Sequence, residues 1–482
     1  FRGLVVSDWN AVGELIPHGV ASDNAEAARK ALMAGVDMDM ESDSYLKTLP
    51  AQVKSGKVPM AVIDEAVRRV LRVKFALGLF EQPYTQGGAA SDAINPEYLE
   101  LARTAAEQSF VLLKNSDAKG APILPLSASV KTVALIGPLA DDAAEMLGSW
   151  GGNSRAADVV TLRAALEQRL SGQQGRVLYA KGTDLAGHSD AGFGEAMAAA
   201  KQADVVVLAL GENAELMTGE AASRAHLDLP GNQSALLEAV ANTRKPVVLL
   251  VFSGRPLVLN WAAEHIPAIL EAWFPGVQAG PALVRTLFGD VSPSGRLTTS
   301  FPRAVGQEPL YYNHLSTGRP AREIDLSRPP ANTAEKYVSR YVDESNLPLY
   351  PFGYGLSYTR FAYSPTQLST RSASAKGLNA GQETIRVSAE VTNTGTRTAE
   401  EVVQLYIRQT GTSVSRPVRE LKGFRRISLA AGASQTVEFT LGREELKFWN
   451  IDMKDVVEPA KVTVWIAPDC TRGTPAELTV RP

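Results

Sequence analysis

Short apolar runs alternate with helical segments through the middle of this chain, and this alternation constrains its fold more than any other feature. The predicted strands are residues 132–137, 176–179, 204–210, 246–252 and 268–273, and the predicted helices are residues 98–113, 162–170, 192–202, 233–241 and 279–288. Runs of strand length that are apolar almost throughout are typical of parallel strands buried on both faces. Strands separated by helices predict a doubly wound α/β sheet, whose ligands bind beyond the carboxyl ends of the strands.

The first 84 residues show a separate β-α-β-α pattern. Short apolar segments at 3–8 and 35–40 flank a helical segment at 24–33, and further helices are predicted at 44–56 and 62–77. Strands connected through a helix in this way lie parallel, and two strands alone do not form a stable sheet. We therefore expect partner strands from residues outside this sequence, and we interpret the start at Phe1, which is not Met, as the start of a fragment.

The last 121 residues, 362–482, alternate apolar and polar side chains. The predicted strands at 385–391, 402–408, 435–441 and 460–467 are short and are separated by turn signals. Such a series predicts a β-sandwich. Residues 304–361 are rich in proline, glycine and aromatic residues, which predicts a loop region before this sandwich.

Composition argues against several classes of protein. The 482 residues carry a net charge of −3, whereas nucleic-acid-binding domains are usually basic. The single cysteine, Cys470, excludes an intramolecular disulfide and a cysteine-based metal site. The five histidines form no i, i+4 pair of the kind that binds zinc. No uncharged apolar run approaches the roughly 20 residues that span a membrane.

Carboxylates that follow predicted strands are candidates for catalysis. Asp8 ends the first apolar run, where a (β/α) barrel would place its active site, although capping of a following helix explains it equally well. Glu220 lies in the loop after the strand at 204–210, and Glu212 and Glu215 in the same loop compete with it for the role of an acid. An exposed loop carboxylate without a catalytic role is the simpler interpretation of each glutamate.

Five segments carry a resemblance to a known family. They are residues 3–9, which include Ser7-Asp8-Trp9, and residues 34–40, 66–80, 109–115 and 350–358. Through these segments the chain resembles family 3 glycoside hydrolases over essentially its whole length, and among them the three-domain bacterial β-glucosidases of the periplasmic type.

The resemblance implies a multidomain fold that combines α/β and β parts in the family's order. It divides the chain into the C-terminal part of a (β/α)8 barrel (1–84), a linker (85–97), an α/β sandwich domain (98–303), an interdomain loop region (304–361) and a fibronectin type III-like β-sandwich (362–482). Within this scheme, the segment 350–358 is expected to pack between domains, and Asp37 and Asp39 are expected to form structural hydrogen bonds.

The resemblance also implies a retaining β-glucosidase that releases terminal, non-reducing β-D-glucosyl residues by double displacement. The family's nucleophile falls on Asp8, and its acid/base falls on Glu220. In retaining enzymes these two carboxyl groups lie about 5–5.5 Å apart. They also need different surroundings, so we expect Asp8 to be hydrogen-bonded in a polar site and Glu220 to be less solvated.

Three further residues receive roles from the resemblance. Trp9 is expected to line the sugar subsite and Trp150 to border the aglycone, although packing of either ring is the alternative. Arg224 is expected to anchor the loop that carries the acid/base, with a surface salt bridge as its alternative.

The implied partner is an oligosaccharide or an aryl or alkyl β-glucoside, with no cofactor, metal, nucleic acid or membrane span. The resemblance leaves open whether the protein forms a homodimer, and it implies a periplasmic or secreted location. The alternative enzyme is a β-xylosidase or α-arabinofuranosidase of the same family. Because the family's other sugar-binding residues come from earlier barrel strands, an inactive carbohydrate-binding remnant is the alternative of a different class. We expect residues 1–482 alone to be an inefficient glycosidase.

Overall fold

The computed structural model describes residues 1–85, 87, 94–116, 119–172, 174–321 and 331–482. The chain divides into two compact units, Phe1–Ala93 and Ile94–Pro482. Much of the predicted linker at 85–97, and residues 322–330 of the predicted loop region, lie outside the described residues. Within the described parts, no helix is long and apolar enough to cross a membrane.

The first unit has the β-α-β-α order expected from the sequence. Its elements are β1 (Val6–Trp9), α1 (Asn24–Met33), β2 (Met38–Met40), α2 (Ser44–Lys54) and α3 (Met60–Ala76). Strands β1 and β2 pair in parallel. Helix α1 begins after its N-cap Asp23, whose carboxylate accepts a hydrogen bond from Glu26 N at 2.8 Å. The helix buries Ala28 and Leu32 in an apolar cluster that it shares with α2 and α3.

Asp37 and Asp39 stabilise the connections of this unit. Asp37 Oδ2 accepts a hydrogen bond from Val5 N at 2.9 Å, and its Oδ1 lies 3.2 Å from Arg69 Nη1 on α3. Asp39 Oδ2 accepts hydrogen bonds from Ser42 Oγ at 2.7 Å and from Tyr45 N at 3.1 Å. The structural role predicted for both aspartates is confirmed.

The second unit begins with a mixed sheet between helices. Its elements are α4 (Pro96–Ser109), β3 (Val111–Asn115), β4 (Thr132–Ile136), α5 (Leu162–Ser171), β5 (Arg176–Ala180), α6 (Phe193–Gln202), β6 (Val205–Gly211), α7 (Ala214–Met217), α8 (Gln233–Ala241), β7 (Val247–Phe252), α9 (Asn260–His265), β8 (Ala268–Glu271) and α10 (Ala279–Phe288). The strand order is β3-β8-β7-β6-β4-β5, and β3 alone among these described strands runs antiparallel to its neighbour.

Strand β6 shows how the sheet is covered on both faces. Its residues alternate between two buried apolar clusters: Val205, Val207 and Ala209 lie in one, and Val206, Leu208 and Leu210 lie in the other. Helices α5 and α10 contribute to the first cluster, and α6 and α8 contribute to the second. The predicted doubly wound α/β architecture is confirmed.

The predicted helix at 98–113 is wrong at its C-terminal end. Helix α4 ends at Ser109, Phe110 has extended backbone angles, and Val111 starts strand β3. Phe110 to Leu113 are at most 1% exposed. A short apolar run of this kind fits a buried helix or a buried strand equally well from sequence. Pairing with β8, more than 150 residues later, decides in favour of the strand.

The rest of the second unit is a β-sandwich preceded by loops. Its elements are α11 (Thr333–Lys336), β9 (Phe361–Tyr363), β10 (Gln367–Leu368), β11 (Ser372–Ser374), α12 (Ala375–Asn379), β12 (Ile385–Asn393), β13 (Ala399–Thr410), β14 (Glu420–Leu429), β15 (Ser434–Leu441), α13 (Arg443–Leu446), β16 (Phe448–Trp449), β17 (Asp455–Val456), β18 (Ala460–Ala467) and β19 (Ala476–Arg481). One sheet has the order β10-β12-β15, with β9 also on β12, and the other has the order β11-β19-β18-β13-β14. The predicted sandwich is confirmed.

The aromatic segment at 350–358 joins the loop region to the α/β sheet. Leu356 N donates to Leu112 O of β3 at 2.9 Å, and Tyr354 OH donates to Leu113 O at 3.1 Å. The segment thus packs against the edge strand and covers an edge that would otherwise offer unpaired backbone groups.

Candidate active site

Asp8 lies in β1 of the first unit, close to the carboxyl end of the strand. Its Oδ1 accepts a hydrogen bond from Trp9 N at 2.7 Å, and both side chains are exposed in this unit. Ser7 Oγ accepts a hydrogen bond from Met40 N at 2.8 Å, which ties the motif to β2. The 3₁₀ turn that follows takes Val12 as its N-cap, so Asp8 does not cap it.

Glu220 lies in the second unit, in the loop that leaves the carboxyl end of β6. The loop starts with α7, whose N-cap Asn213 accepts a hydrogen bond from Leu216 N at 2.5 Å. Gly219 and Ala221 both have positive φ, at 82° and 57°. The backbone therefore turns sharply on either side of Glu220, and the glutamate is exposed. Its own unit does not supply the reduced solvation expected of an acid/base.

Trp150 lies beside the Glu220 loop. A Cβ placed on Gly219 would clash with Ser149 Oγ and would come within 3.7 Å of Trp150 Nε1. Trp150 is 78% exposed and lines a cavity of about 630 Å³ together with Gly148, Ser149 and Glu145. An exposed indole at the edge of a cavity is suited to stacking on an apolar or sugar surface.

Glu145 was not found from the sequence, yet it supports the start of the loop. Its carboxylate accepts hydrogen bonds from Asn213 Nδ2 and from Ala214 N. Burial is the main reason that the pKa of this carboxyl is raised, and the hydrogen bond from Ala214 N opposes the shift. The partners of Glu145 lie about 70 residues later in the sequence, so no local motif marks it.

Glu212 is the buried carboxylate of the loop. It follows β6 directly and is 0% exposed. Arg224 Nη1 donates to its Oε1 at 2.7 Å, Arg255 Nε lies 3.2 Å from the same oxygen, and Gly254 N donates to its Oε2 at 3.3 Å. Arg224 thus connects the later part of the loop to Glu212 at its start. Arg255, which follows β7, was not identified from the sequence.

Glu271, at the carboxyl end of β8, is a second buried acid that sequence reasoning missed. Its Oε1 accepts hydrogen bonds from Trp273 N at 3.1 Å and from Ser253 Oγ at 3.2 Å. Burial raises the pKa of this carboxyl well above its usual value, and the nearby charge of Glu212 raises it further. The carboxyl ends of β6, β7 and β8 thus bring together an ion-paired acid and an acid that favours its protonated form.

Among the residues that the structure describes, no group of three or more His, Cys, Asp or Glu side chains is placed to hold a metal ion.

Comparison with known protein families shows to which family the chain that carries these acids belongs. The glycosyl hydrolase family 3 C-terminal domain matches residues 110–358, which is more than half of the chain. The chain belongs to glycosyl hydrolase family 3. The family's N-terminal domain matches residues 1–73, and a fibronectin type III-like domain matches residues 401–470. The family resemblance seen in the sequence is confirmed.

Individual relatives span the chain almost end to end. A periplasmic beta-glucosidase of Salmonella typhimurium is 43% identical over 98% of this chain and 62% of its own length, and a beta-xylosidase of Formosa agariphila is 41% identical over 96% and 62%. A crystal structure of beta-glucosidase from Listeria innocua in complex with glucose is 38% identical, with a TM-score of 0.88, over 100% of this chain and 63% of that one. The chain therefore spans less than two thirds of the length of these relatives.

Proposed function

We propose that this protein acts as a retaining glycoside hydrolase that releases terminal, non-reducing β-D-glucosyl residues from oligosaccharides and from aryl or alkyl β-glucosides. The observation that carries the proposal is the Ser7-Asp8-Trp9 motif in β1, with an exposed carboxylate, in a chain whose whole length matches family 3 relatives. The beta-glucosidases among those relatives favour glucose as the sugar.

Asp8 is the nucleophile and Glu220 the acid/base in this proposal. Asp8, as an exposed carboxylate, attacks the anomeric carbon while Glu220 protonates the leaving oxygen, and Glu220 then deprotonates the water that releases glucose. Glu212 fits the acid role poorly, because it is fully buried and holds two arginines. Glu215 lies exposed on α7 and stays the minor candidate.

The substrate subsites follow from the aromatic side chains. Trp9, 66% exposed, offers an apolar platform for the glucosyl ring, and Trp150, beside the Glu220 loop, borders the aglycone. Arg224 acts on the loop through Glu212. The domain boundaries proposed are those of the sequence prediction: 1–84, 85–97, 98–303, 304–361 and 362–482. A periplasmic or secreted location is supported by the name of the Salmonella typhimurium relative.

Xylosidase activity is the second candidate. A beta-xylosidase of Formosa agariphila, 41% identical over 96% of this chain, favours it almost as strongly as the glucosidase relatives favour glucose. The two activities differ in whether the site accepts the hydroxymethyl group of the sugar, so matched aryl β-glucoside and β-xyloside substrates separate them.

The test uses protein purified from the complete coding sequence, with residues numbered as here. We expect hydrolysis of an aryl β-glucoside in preference to the β-xyloside, with β-glucose as the first product by NMR. Glu220→Ala should lose about 10²–10⁴-fold in rate on an alkyl glucoside, whose leaving group needs the proton. On a dinitrophenyl β-glucoside, whose leaving group departs without that proton, azide should accelerate turnover of the variant and yield a β-glucosyl azide. Glu215→Ala is the matched control. Full activity of Glu220→Ala would assign the acid role elsewhere.

A further inference from the structure

The position of Glu220 depends on the backbone of its loop. The loop runs from Glu212, after β6, to Leu229, where the chain is buried again. Glu220 itself is exposed, so packing of its own side chain does not fix where the carboxylate points. The groups that hold the loop backbone therefore decide its position.

Arg255 holds the loop on both sides of Glu220. Its Nη2 donates to Met217 O and, at 2.8 Å, to Ala222 O. These carbonyls lie three residues before and two residues after Glu220. The planar guanidinium of Arg255 thus hydrogen-bonds to the backbone on both sides of the turn that carries Glu220.

Glu212 forms an ion pair with that guanidinium. Its buried Oε1 lies 3.2 Å from Arg255 Nε and accepts from Arg224 Nη1 at 2.7 Å. Arg224 Nη2 in turn donates to Asp228 O at 2.8 Å, near the end of the loop. One fully buried carboxylate therefore connects, through two arginines, the turn around Glu220 and the far end of the loop. Removing a partner from such a buried ion pair leaves an uncompensated charge, so the three groups act as a unit.

We propose that Glu212 and Arg255 form a positioning clamp that sets the acid/base carboxylate of Glu220 against the leaving group. The inference rests on the proposed role of Glu220. Glu212 and Arg255 are positioning residues, since both act through the loop backbone. Loosening the clamp should impair proton donation to the aglycone, because misplacement by about 1 Å of a group that must be aligned can cost about 10²-fold.

The test compares leaving groups, because only poor ones need the proton. Glu212→Gln, which keeps the side-chain shape, and Arg255→Lys, which keeps the charge but not the planar fork, are assayed on an alkyl β-glucoside and on a dinitrophenyl β-glucoside. We expect a loss of about 10–100-fold in kcat/KM on the alkyl glucoside and a loss several times smaller on the dinitrophenyl substrate. Glu195→Gln, an exposed glutamate at the start of α6, should match the wild type.

Two outcomes separate this inference from the proposed function. In the first outcome, Glu220→Ala loses more activity on the alkyl glucoside than on the dinitrophenyl glucoside and is rescued by azide, whereas the clamp variants lose activity equally on both substrates or not at all. The clamp is then wrong, and the role of Glu220 stands. If Glu220→Ala hydrolyses the alkyl glucoside normally, the proposed acid/base assignment fails first. If Glu212→Gln does not fold, Arg255→Lys alone tests the clamp. The measurement is then its loss in kcat/KM on the alkyl glucoside relative to its loss on the dinitrophenyl glucoside.

Discussion

Replacing Glu271 by glutamine should make the stability of the second unit less dependent on pH. Glu271 is fully buried, and burial with the nearby charge of Glu212 raises the pKa of its carboxyl well above the usual value of 4.5. The folded protein therefore keeps a proton that the unfolded chain releases above about pH 4.5. Because the folded state binds this proton, the proton stabilises the fold. This contribution to the free energy of unfolding is complete at low pH and is lost progressively as the pH rises toward the folded-state pKa.

The size of this effect follows from proton linkage. One bound proton contributes about 1.4 kcal/mol per pH unit once the unfolded carboxyl is ionised. In the pH interval above about 5.5 in which the folded carboxyl keeps its proton, Glu271 should therefore lower the free energy of unfolding by about 1.4 kcal/mol for each pH unit. Glutamine keeps an oxygen that can accept from Trp273 N and Ser253 Oγ but has no proton to lose, so Glu271→Gln should gain about this amount relative to the wild type over the same interval.

Urea unfolding at a series of pH values measures the difference. Trp273, whose backbone N–H binds Glu271, provides a fluorescence signal close to the substitution. Glu238→Gln, on the exposed side of α8, is the control and should follow the wild type. The same pH slope for the wild type and Glu271→Gln would mean that this carboxyl takes up no proton on folding, and would refute the reasoning.

Three further variants test separate parts of the account. Gly219→Ala should lower kcat on alkyl glucosides without unfolding the protein, because φ is 82° there and a Cβ would clash with Ser149 Oγ; steady-state kinetics and circular dichroism check this. Glu401→Gln should destabilise the second unit by about 3–5 kcal/mol, since its carboxylate pairs with the buried Arg296, and unchanged urea unfolding would contradict it. Trp150→Ala should raise KM for aryl glucosides more than for methyl glucoside, and equal changes would argue against its role beside the aglycone.

The sequence was most informative for strands and helices whose own residues determine their secondary structure and burial. The apolar run of β6 is longer than a turn, carries no charge and is flanked by helices, so its buried parallel position could be predicted. Strand β14 could not: its sequence includes Lys422, Gly423, Arg425 and Arg426, and it becomes a strand because it pairs with β13.

The residues of the candidate site can be divided by the same criterion, into those that the local sequence indicates and those that it does not. Asp8 belongs to the local motif Ser7-Asp8-Trp9, and Glu220 lies in the loop after a clearly predicted strand, so both could be proposed from sequence together with the family resemblance. Arg255 follows an apolar strand and Glu271 ends one, each as a single charged residue. Neither carries a local signal, because Arg255 pairs with Glu212 after a different strand and the side-chain partner of Glu271, Ser253, lies 18 residues away. Only the order of strands β8, β7 and β6 brings these residues together at one edge of the sheet.

Covalent trapping of the nucleophile tests the central claim most directly. The protein from the complete coding sequence is incubated with a 2-deoxy-2-fluoroglucoside that carries a good leaving group, and the digested product is sequenced by mass spectrometry. A retaining mechanism through Asp8 predicts one fluoroglucosyl adduct, on the Asp8 carboxylate, and none in Asp8→Asn. An adduct on another residue, or active enzyme that forms no adduct and releases α-glucose first, would contradict the account.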